Sequence, residues 1–179
     1  MRISVERYLK MAEMGVLTHE DRVELIEGEI LNMPPLGTRH SAVTGKLVKR
    51  LILEIGDSAV LLPGPTLPLG TFSAPQPDLV LLKPRDDFYS DRRPLPTDVL
   101  LLVEIADTSL GFDQGVKRAV YARAGIAEYW VIDVASSRLF QYRIPRGDHY
   151  ADTAEFGAGD LVVRPCLPTV EIPVGALFD

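Results

Sequence analysis

Apolar residues recur at two spacings along the chain, and each spacing predicts a different kind of element. In the segment 38–56 the apolar residues are mostly four apart, which places them on one face of a helix that ends at Gly56. The same spacing predicts an N-terminal helix over 4–15 and a third helix over 113–124, with Asp113 as its N-cap. Three helices are therefore expected.

Shorter apolar runs, bounded by glycines, prolines and polar residues, predict strands. Residues 22–33 alternate around Gly28 and predict two short strands joined by a tight turn. The proline-broken run AVLLPGPTLPL suits an edge strand, whereas QPDLVLL and VLLLVEIA predict buried strands. The runs AEYWVIDV and RLFQYRI predict two more. The order of elements indicates an α/β (α+β) fold, a mixed β-sheet core flanked by helices.

Length and composition favour a single domain over 1–179, with the N-terminal helix inside 1–20 and an acidic, peripheral C-terminal segment over 148–179. The single cysteine, Cys166, excludes an internal disulfide framework and a cysteine-rich zinc site, and it has no predicted role. No apolar run approaches the roughly 20 residues that span a bilayer. The N-terminal stretch lacks the apolar core of a secretory signal, so a cytoplasmic location is expected.

The distribution of charge matters more than its total. The net charge is −6, which by itself argues against indiscriminate nucleic-acid binding, because contacts to phosphates supply most of that affinity. Six acidic residues and one arginine give the segment 148–179 a charge of −5, so residues 1–147 carry only −1. A divalent cation bound in that larger part would reverse its sign. Net charge therefore does not exclude a nucleic-acid partner.

The chemistry-bearing residues lie between 77 and 133. Asp78 opens a buried strand directly after a proline, and Glu104 follows five consecutive apolar residues in the next buried strand. A carboxylate so placed is costly unless it is paired, hydrogen-bonded or bound to a cation. Two carboxylates at neighbouring strand ends suit Mg²⁺, which takes oxygen ligands. Lys117 comes early in the following helix, where it can orient an attacking water or hold a phosphate. A cap or a surface charge is the simpler interpretation of each acid taken singly.

Several motifs resemble a known family. The dipeptide Pro77-Asp78, followed by Glu104, resembles the PD-(D/E)xK restriction-endonuclease-like superfamily. The wider pattern resembles the Uma-two family of putative restriction endonucleases between about Arg22 and Tyr150. The segments that carry this resemblance are RVELIEGEILNMPP, PQPDLVLL, LLVEIADTSLGFDQGVKRAVYARAGIAEYWVID, the intervening His40 and a later Y-R-x-P.

The resemblance implies a restriction-endonuclease-like fold and a role for each matching residue. Asp78 and Glu104 would bind Mg²⁺ or Mn²⁺, and the carbonyl of Ile105 would be a third ligand. The sequence departs from the superfamily at Ala106, where the catalytic lysine usually stands. Lys117 matches a lysine that the family carries on the next helix and that is thought to substitute for it.

Other residues keep two interpretations each. One of Glu24, Glu27 and Glu29 is expected to face the site, and Glu27 is preferred over the other two. The alternative is that all three lie on the solvated face of an amphipathic strand. His40 could contact phosphate or be an exposed capping residue. Tyr121 could line the site or pack in the core, and Asp113 favours a capping role over a ligand role. Seven basic residues could either contact phosphates or simply lie on a solvated surface. They are Lys46, Lys49, Arg50, Lys83, Arg85, Arg92 and Arg93.

The resulting hypothesis is a Mg²⁺-dependent endonuclease that hydrolyses DNA phosphodiester bonds with Asp78, Glu104, Lys117 and Glu27. The alternative is a nucleic-acid-binding or protein-interaction module that has the same fold and no catalytic activity. A hydrolase of a small phosphorylated compound is a third possibility. The resemblance implies a homodimer, and the long segment 83–98 is expected to form a lid or a dimer arm.

Overall fold

The helices and strands follow the predicted order closely. The structure, a computed structural model, describes residues 2–18, 20–164 and 170–179, so Cys166 lies outside the described residues. The helices are α1 (Val5–Glu13), α2 (Thr38–Ile55), α3 (Leu110–Phe112) and α4 (Arg118–Arg123), with a π-helical turn, Asp113–Lys117, between the last two. The strands are β1 (Val23–Ile26), β2 (Glu29–Asn32), β3 (Val60–Pro63), β4 (Leu79–Leu82), β5 (Val99–Ala106), β6 (Glu128–Asp133), β7 (Arg138–Arg146), β8 (His149–Phe156), β9 (Leu161–Arg164) and β10 (Val170–Pro173).

Six strands form one mixed sheet in the order β3-β4-β5-β6-β7-β8. Only β5 and β6 of this sheet run parallel, and the chain between them contains α3, the π-helical turn and α4. The prolines of the β3 region predicted its place at an edge, where missing backbone donors are tolerated. The predicted mixed sheet with flanking helices is confirmed.

Side-chain alternation along the sheet separates two apolar layers. On β5, Val103 and Ile105 pack with the apolar stripe of α2, whereas Leu102 and Ala106 pack with α4. Glu104 lies between Val103 and Ile105 and therefore shares the face covered by α4. This alternation places one carboxylate of the predicted site beneath the helix that follows β5.

The C-terminal part is not peripheral. β8 is a full strand of the main sheet, and Val162, Ile172 and Leu177 are fully buried against the layer beneath α2. The acidic residues that dominate this segment obscured its apolar residues, which face the core while most of the charges face solvent. Of the chain that the structure describes, no helix is both long and apolar enough to cross a membrane.

The third helix also differs from the prediction. It begins at Leu110 instead of Asp113, and Asp113 is a buried residue of the π-helical turn that accepts a hydrogen bond from the Ser109 hydroxyl. The expected N-cap role of Asp113 is therefore wrong. In the sequence, an aspartate near the start of a helix can be either an N-cap or a residue inside the helical segment. Only the packing of this segment against the sheet distinguishes the two roles.

The segment 83–98 does not cover the predicted site. β4 and β5 are antiparallel, so their connection lies at one end of the strand pair, while Asp78 and Glu104 lie toward the other. Ion pairs Arg85–Asp87 and Arg92–Asp98 hold this connection in place. The lid interpretation is wrong for this topological reason, and the dimer arm stays a prediction.

Candidate active site

The antiparallel pairing of β4 and β5 brings Asp78 beside Glu104. Leu79 pairs with Val103 in that register, so the residue before β4 lies next to the residue after Val103. The Asp78 carboxylate accepts a hydrogen bond from the backbone N–H of Ile105, with 2.7 Å between nitrogen and Oδ2. The two predicted metal-binding carboxylates therefore lie at the same end of the sheet.

The π-helical turn brings Lys117 onto the same point. Its Nζ lies 3.0 Å from Glu104 Oε1, 3.0 Å from Glu24 Oε2 and 4.0 Å from Asp113 Oδ1. Lys117 is buried, as are all three carboxylates. A lysine reaching from the helix thus lies beside Glu104, although Ala106 occupies the position where the superfamily carries its lysine.

The structure brings Glu24 into this cluster, not Glu27. Glu27 is exposed in the turn between β1 and β2, has a φ of +50°, and pairs with Arg123 on the surface. Glu24 lies in the middle of β1 and is buried. Gly28 is the sequence feature that could have distinguished Glu24 from Glu27. Because Glu27 directly precedes this turn glycine, it belongs to the turn and not to the inward-facing side of the strand.

His40 is a buried neighbour of Asp78. It lies in the first turn of α2, and its Nε2 is 3.0 Å from Asp78 Oδ1. The hydrogen bond to Asp78 raises the pKa of the imidazole above its usual value, against the opposing effect of burial. The exposed capping role is therefore wrong. His40 belongs to the candidate site because it contacts Asp78, a predicted metal-binding residue.

Tyr121 fits both interpretations that the sequence left open, because it packs in the core and also contacts the site. Its ring is fully buried in the layer beneath α4, and its hydroxyl donates a hydrogen bond to Glu104 Oε1 at 2.6 Å. Lys117 donates to the same oxygen. Among the described residues, all hydrogen bonds of the Glu104 side chain go to Oε1. Because Glu104 also lines the cavity, its Oε2 is the oxygen available to a ligand.

Burial dominates the electrostatics of the cluster. It raises the pKa of Glu104 well above its usual value, because the nearby Lys117 ammonium compensates only in part. Burial raises the pKa of Asp113 to about 6, although the Ser109 hydroxyl opposes the rise. For Lys117, burial favours the neutral amine, but Glu104, Glu24 and Asp113 together raise the pKa of the ammonium. One lysine cannot neutralise this many acids, so the remaining negative charge requires either bound protons, which the raised pKa values of Glu104 and Asp113 favour, or a bound cation.

The cluster lines a cavity of about 410 Å³. The possible metal-binding groups at its wall include five carboxylates, and the backbone adds a carbonyl oxygen. If the β4–β5 register continues, Pro77 lies opposite Ile105 and has no N–H to donate to the Ile105 carbonyl. Oxygen donors with excess negative charge fit a hard divalent cation such as Mg²⁺. In the described arrangement, no three His, Cys, Asp or Glu side chains already converge on one ion, because the Lys117 ammonium lies between two of the acids.

The basic residues that the sequence proposed for phosphate contacts lie outside this cavity. None of the seven is among its lining residues. Arg85 and Arg92 pair with aspartates of their own segment, and Lys46 donates to the carbonyl of Asp179. Trp130 is fully buried in the core. The cavity wall instead contains Arg22, which the sequence did not single out.

Comparisons with known proteins agree with this architecture. The chain matches a crystal structure of a putative nuclease belonging to DUF820 from Anabaena variabilis ATCC 29413 with a TM-score of 0.79 and 20% identity, over 98% of this chain and 97% of that one. At that identity the likeness shows the fold. No curated protein matches the chain. The family model of Uma2, described as putative restriction endonuclease, matches residues 5–175. Since that match covers nearly the whole sequence, the chain belongs to the Uma2 family of putative restriction endonucleases.

Proposed function

We propose that this protein is a Mg²⁺-dependent endonuclease that hydrolyses phosphodiester bonds in DNA at the cavity beside Glu104. One observation carries the proposal: a strand start, a strand end and a helical turn bring Asp78, Glu104 and Lys117 together in one cavity. Family membership supports the same activity. Glu24 takes the place that the sequence had suggested for Glu27.

Asp78 and Glu104 would hold the ion, together with the carbonyl of Ile105. Mg²⁺, or Mn²⁺ in its place, would polarise a phosphoryl oxygen and lower the pKa of a bound water. Tyr121 holds Glu104 Oε1 by its hydroxyl, and the N–H of Ile105 holds Asp78 Oδ2, so both carboxylates are oriented before a ligand arrives. Such preorganisation reduces the cost of assembling the site during the reaction.

Lys117 would act on the reacting groups. Its ammonium, kept charged by Glu104 and Glu24, can donate a hydrogen bond to the attacking water or to the phosphate oxygen that gains charge. Burial keeps competing water away from this contact. Lys117 therefore supplies from the helix the positive charge that Ala106 cannot supply from the strand.

A binding module without catalytic activity is the second candidate. The observation that favours it is the position of the Lys117 ammonium, which already neutralises part of Glu24 and Glu104. If this internal ion pair does not yield to a metal, the domain can bind a partner but cannot cleave it. Metal binding therefore separates the two functions.

The first experiment is a calorimetric titration of the protein with Mg²⁺ and Mn²⁺. Asp78→Asn should abolish binding, whereas Glu27→Gln, which also removes one negative charge, should bind like the wild-type protein. Cleavage of supercoiled DNA should then require metal and should be lost in Asp78→Ala and Lys117→Ala. No binding at millimolar metal would exclude the nuclease, and cleavage that survives both substitutions would place the activity elsewhere.

We further propose that the protein acts as a homodimer, because two active sites in one complex allow both strands of a duplex to be cut together. Sedimentation velocity measures the mass directly. A protein that sediments as a single 19.8 kDa chain and that binds DNA with only one chain per complex would refute the dimer, while the proposed chemistry would be unaffected.

A further inference from the structure

Among the described residues that line the cavity, three have basic side chains, and two of these already have acidic partners. Lys117 pairs with Glu104 and Glu24, and His40 pairs with Asp78. The third is Arg22. Within residues 2–18, 20–164 and 170–179, no side-chain hydrogen bond or ion pair engages its guanidinium, even though the cavity is rich in carboxylates. Its five donors are therefore available to a ligand.

The backbone holds Arg22 in a defined position at the cavity. The residue directly precedes β1, and its carbonyl accepts a hydrogen bond from the N–H of Met33 at 2.7 Å, which extends the pairing of β1 and β2. Arg22 and Glu24 are two residues apart on an extended chain, so their side chains leave it on the same face. Glu24 is buried beside Lys117, while Arg22 is exposed. Arg22 thus lies at the solvent-exposed edge of the hairpin face that lines the cavity.

We propose that Arg22 binds a phosphate of the substrate strand at the entrance of the cavity and so positions the neighbouring phosphodiester at Asp78, Glu104 and Lys117. This inference rests on the proposed nuclease function. A cluster with excess negative charge repels a polyanion, and an unengaged guanidinium at its entrance offsets that repulsion. The planar guanidinium also matches two oxygens of one phosphate, which a lysine cannot do in the same geometry. Arg22 is a binding and positioning residue in this scheme.

The test measures binding of a fluorescein-labelled 20-nucleotide DNA, single-stranded and duplex, with Ca²⁺ replacing Mg²⁺ so that cleavage does not interfere. Arg22→Gln should raise the Kd at least tenfold. The slope of log affinity against log salt should also become shallower by about one, as expected when one phosphate contact is lost. Arg22→Lys should keep the slope but recover only part of the affinity.

Arg7→Gln is the matched control, because Arg7 is an exposed arginine on α1 that does not line the cavity. It removes the same charge and should change the Kd less than twofold. Calorimetry with Mg²⁺ should show that Arg22→Gln still binds metal, which separates loss of the phosphate contact from loss of the site. Equal DNA affinity of Arg22→Gln and the wild-type protein would overturn the role of Arg22 alone. A wild-type protein that binds neither metal nor DNA would overturn the nuclease function and this inference with it.

Discussion

Two tyrosines of one aromatic cluster provide a sharp test of the contacts around Glu104. Tyr121 and Tyr150 both pack against Tyr129, with ring centroids 4.9 Å and 6.4 Å from it. The Tyr121 hydroxyl donates to the buried Glu104 carboxylate. The Tyr150 hydroxyl is, among the described residues, a buried polar group without a hydrogen-bond partner. Replacing each by Phe removes one hydroxyl from a similar environment.

The expected effects differ in size because the lost contacts differ. A hydrogen bond to a charged group contributes about 1.5–3 kcal/mol, so Tyr121→Phe should lower the free energy of unfolding by that amount. For a chain of this length, each kcal/mol shifts the melting temperature by about 2–4 °C, which gives a decrease of about 3–12 °C. Tyr150→Phe removes a hydroxyl that was buried without compensation, so its stability should equal or exceed that of the wild-type protein.

The assay is urea denaturation at pH 7.5, followed by far-UV circular dichroism, with thermal melts of the same three proteins. Both substitutions remove a single oxygen from an aromatic ring, so the difference between them isolates the hydrogen bond from packing. Equal stability of the two variants would refute the assignment of the Tyr121 hydroxyl to Glu104. It would also remove the argument that Tyr121 leaves Oε2 for a ligand.

Three further predictions concern the same cluster. Lys117→Met should destabilise the metal-free protein by about 3–5 kcal/mol, because it leaves buried carboxylates unpaired. In calorimetry the same variant should bind Mg²⁺ more tightly than the wild-type protein, since the ammonium no longer competes with the metal for these carboxylates. Weaker Mg²⁺ binding would contradict this competition. In urea denaturation, Glu24→Gln should lower the free energy of unfolding by more than about 1 kcal/mol. Glu27→Gln should change it by less than about 0.5 kcal/mol, because the ion pair of Glu27 is exposed. The reverse order of the two effects would show that the positions of the two acids are misassigned. Burial raises the pKa of Asp113 from its usual 3.8 to about 6. Between these pH values the folded state binds a proton that the unfolded state has released, so the stability contributed by this group falls as pH rises from 4 to 6. Asp113→Asn, which keeps an acceptor for the Ser109 hydroxyl, should make that fall shallower in denaturation curves measured across this range, and an unchanged slope would refute the raised pKa.

The local pattern of the sequence was sufficient for most elements. Apolar spacing predicted α1, α2 and the strands up to β7, because each of these segments buries one face or both faces against a neighbour. It failed at the helix after β5, where Asp113 resembles an N-cap and only contact with the sheet identifies it as an interior residue. It also failed for the C-terminal segment, since a count of charges does not show which face of a strand they occupy.

The sequence by itself determined that Asp78 begins one buried strand, that Glu104 lies near the end of the next and that Lys117 follows on a helix, because those positions depend on local hydrophobic pattern. Only the tertiary structure decided that Glu24 and His40 join them. Glu24 reaches the cluster from a separate hairpin and His40 from a separate helix, and neither approach depends on sequence spacing. Contacts between residues distant in the chain follow from packing of whole elements, which one sequence read locally does not contain.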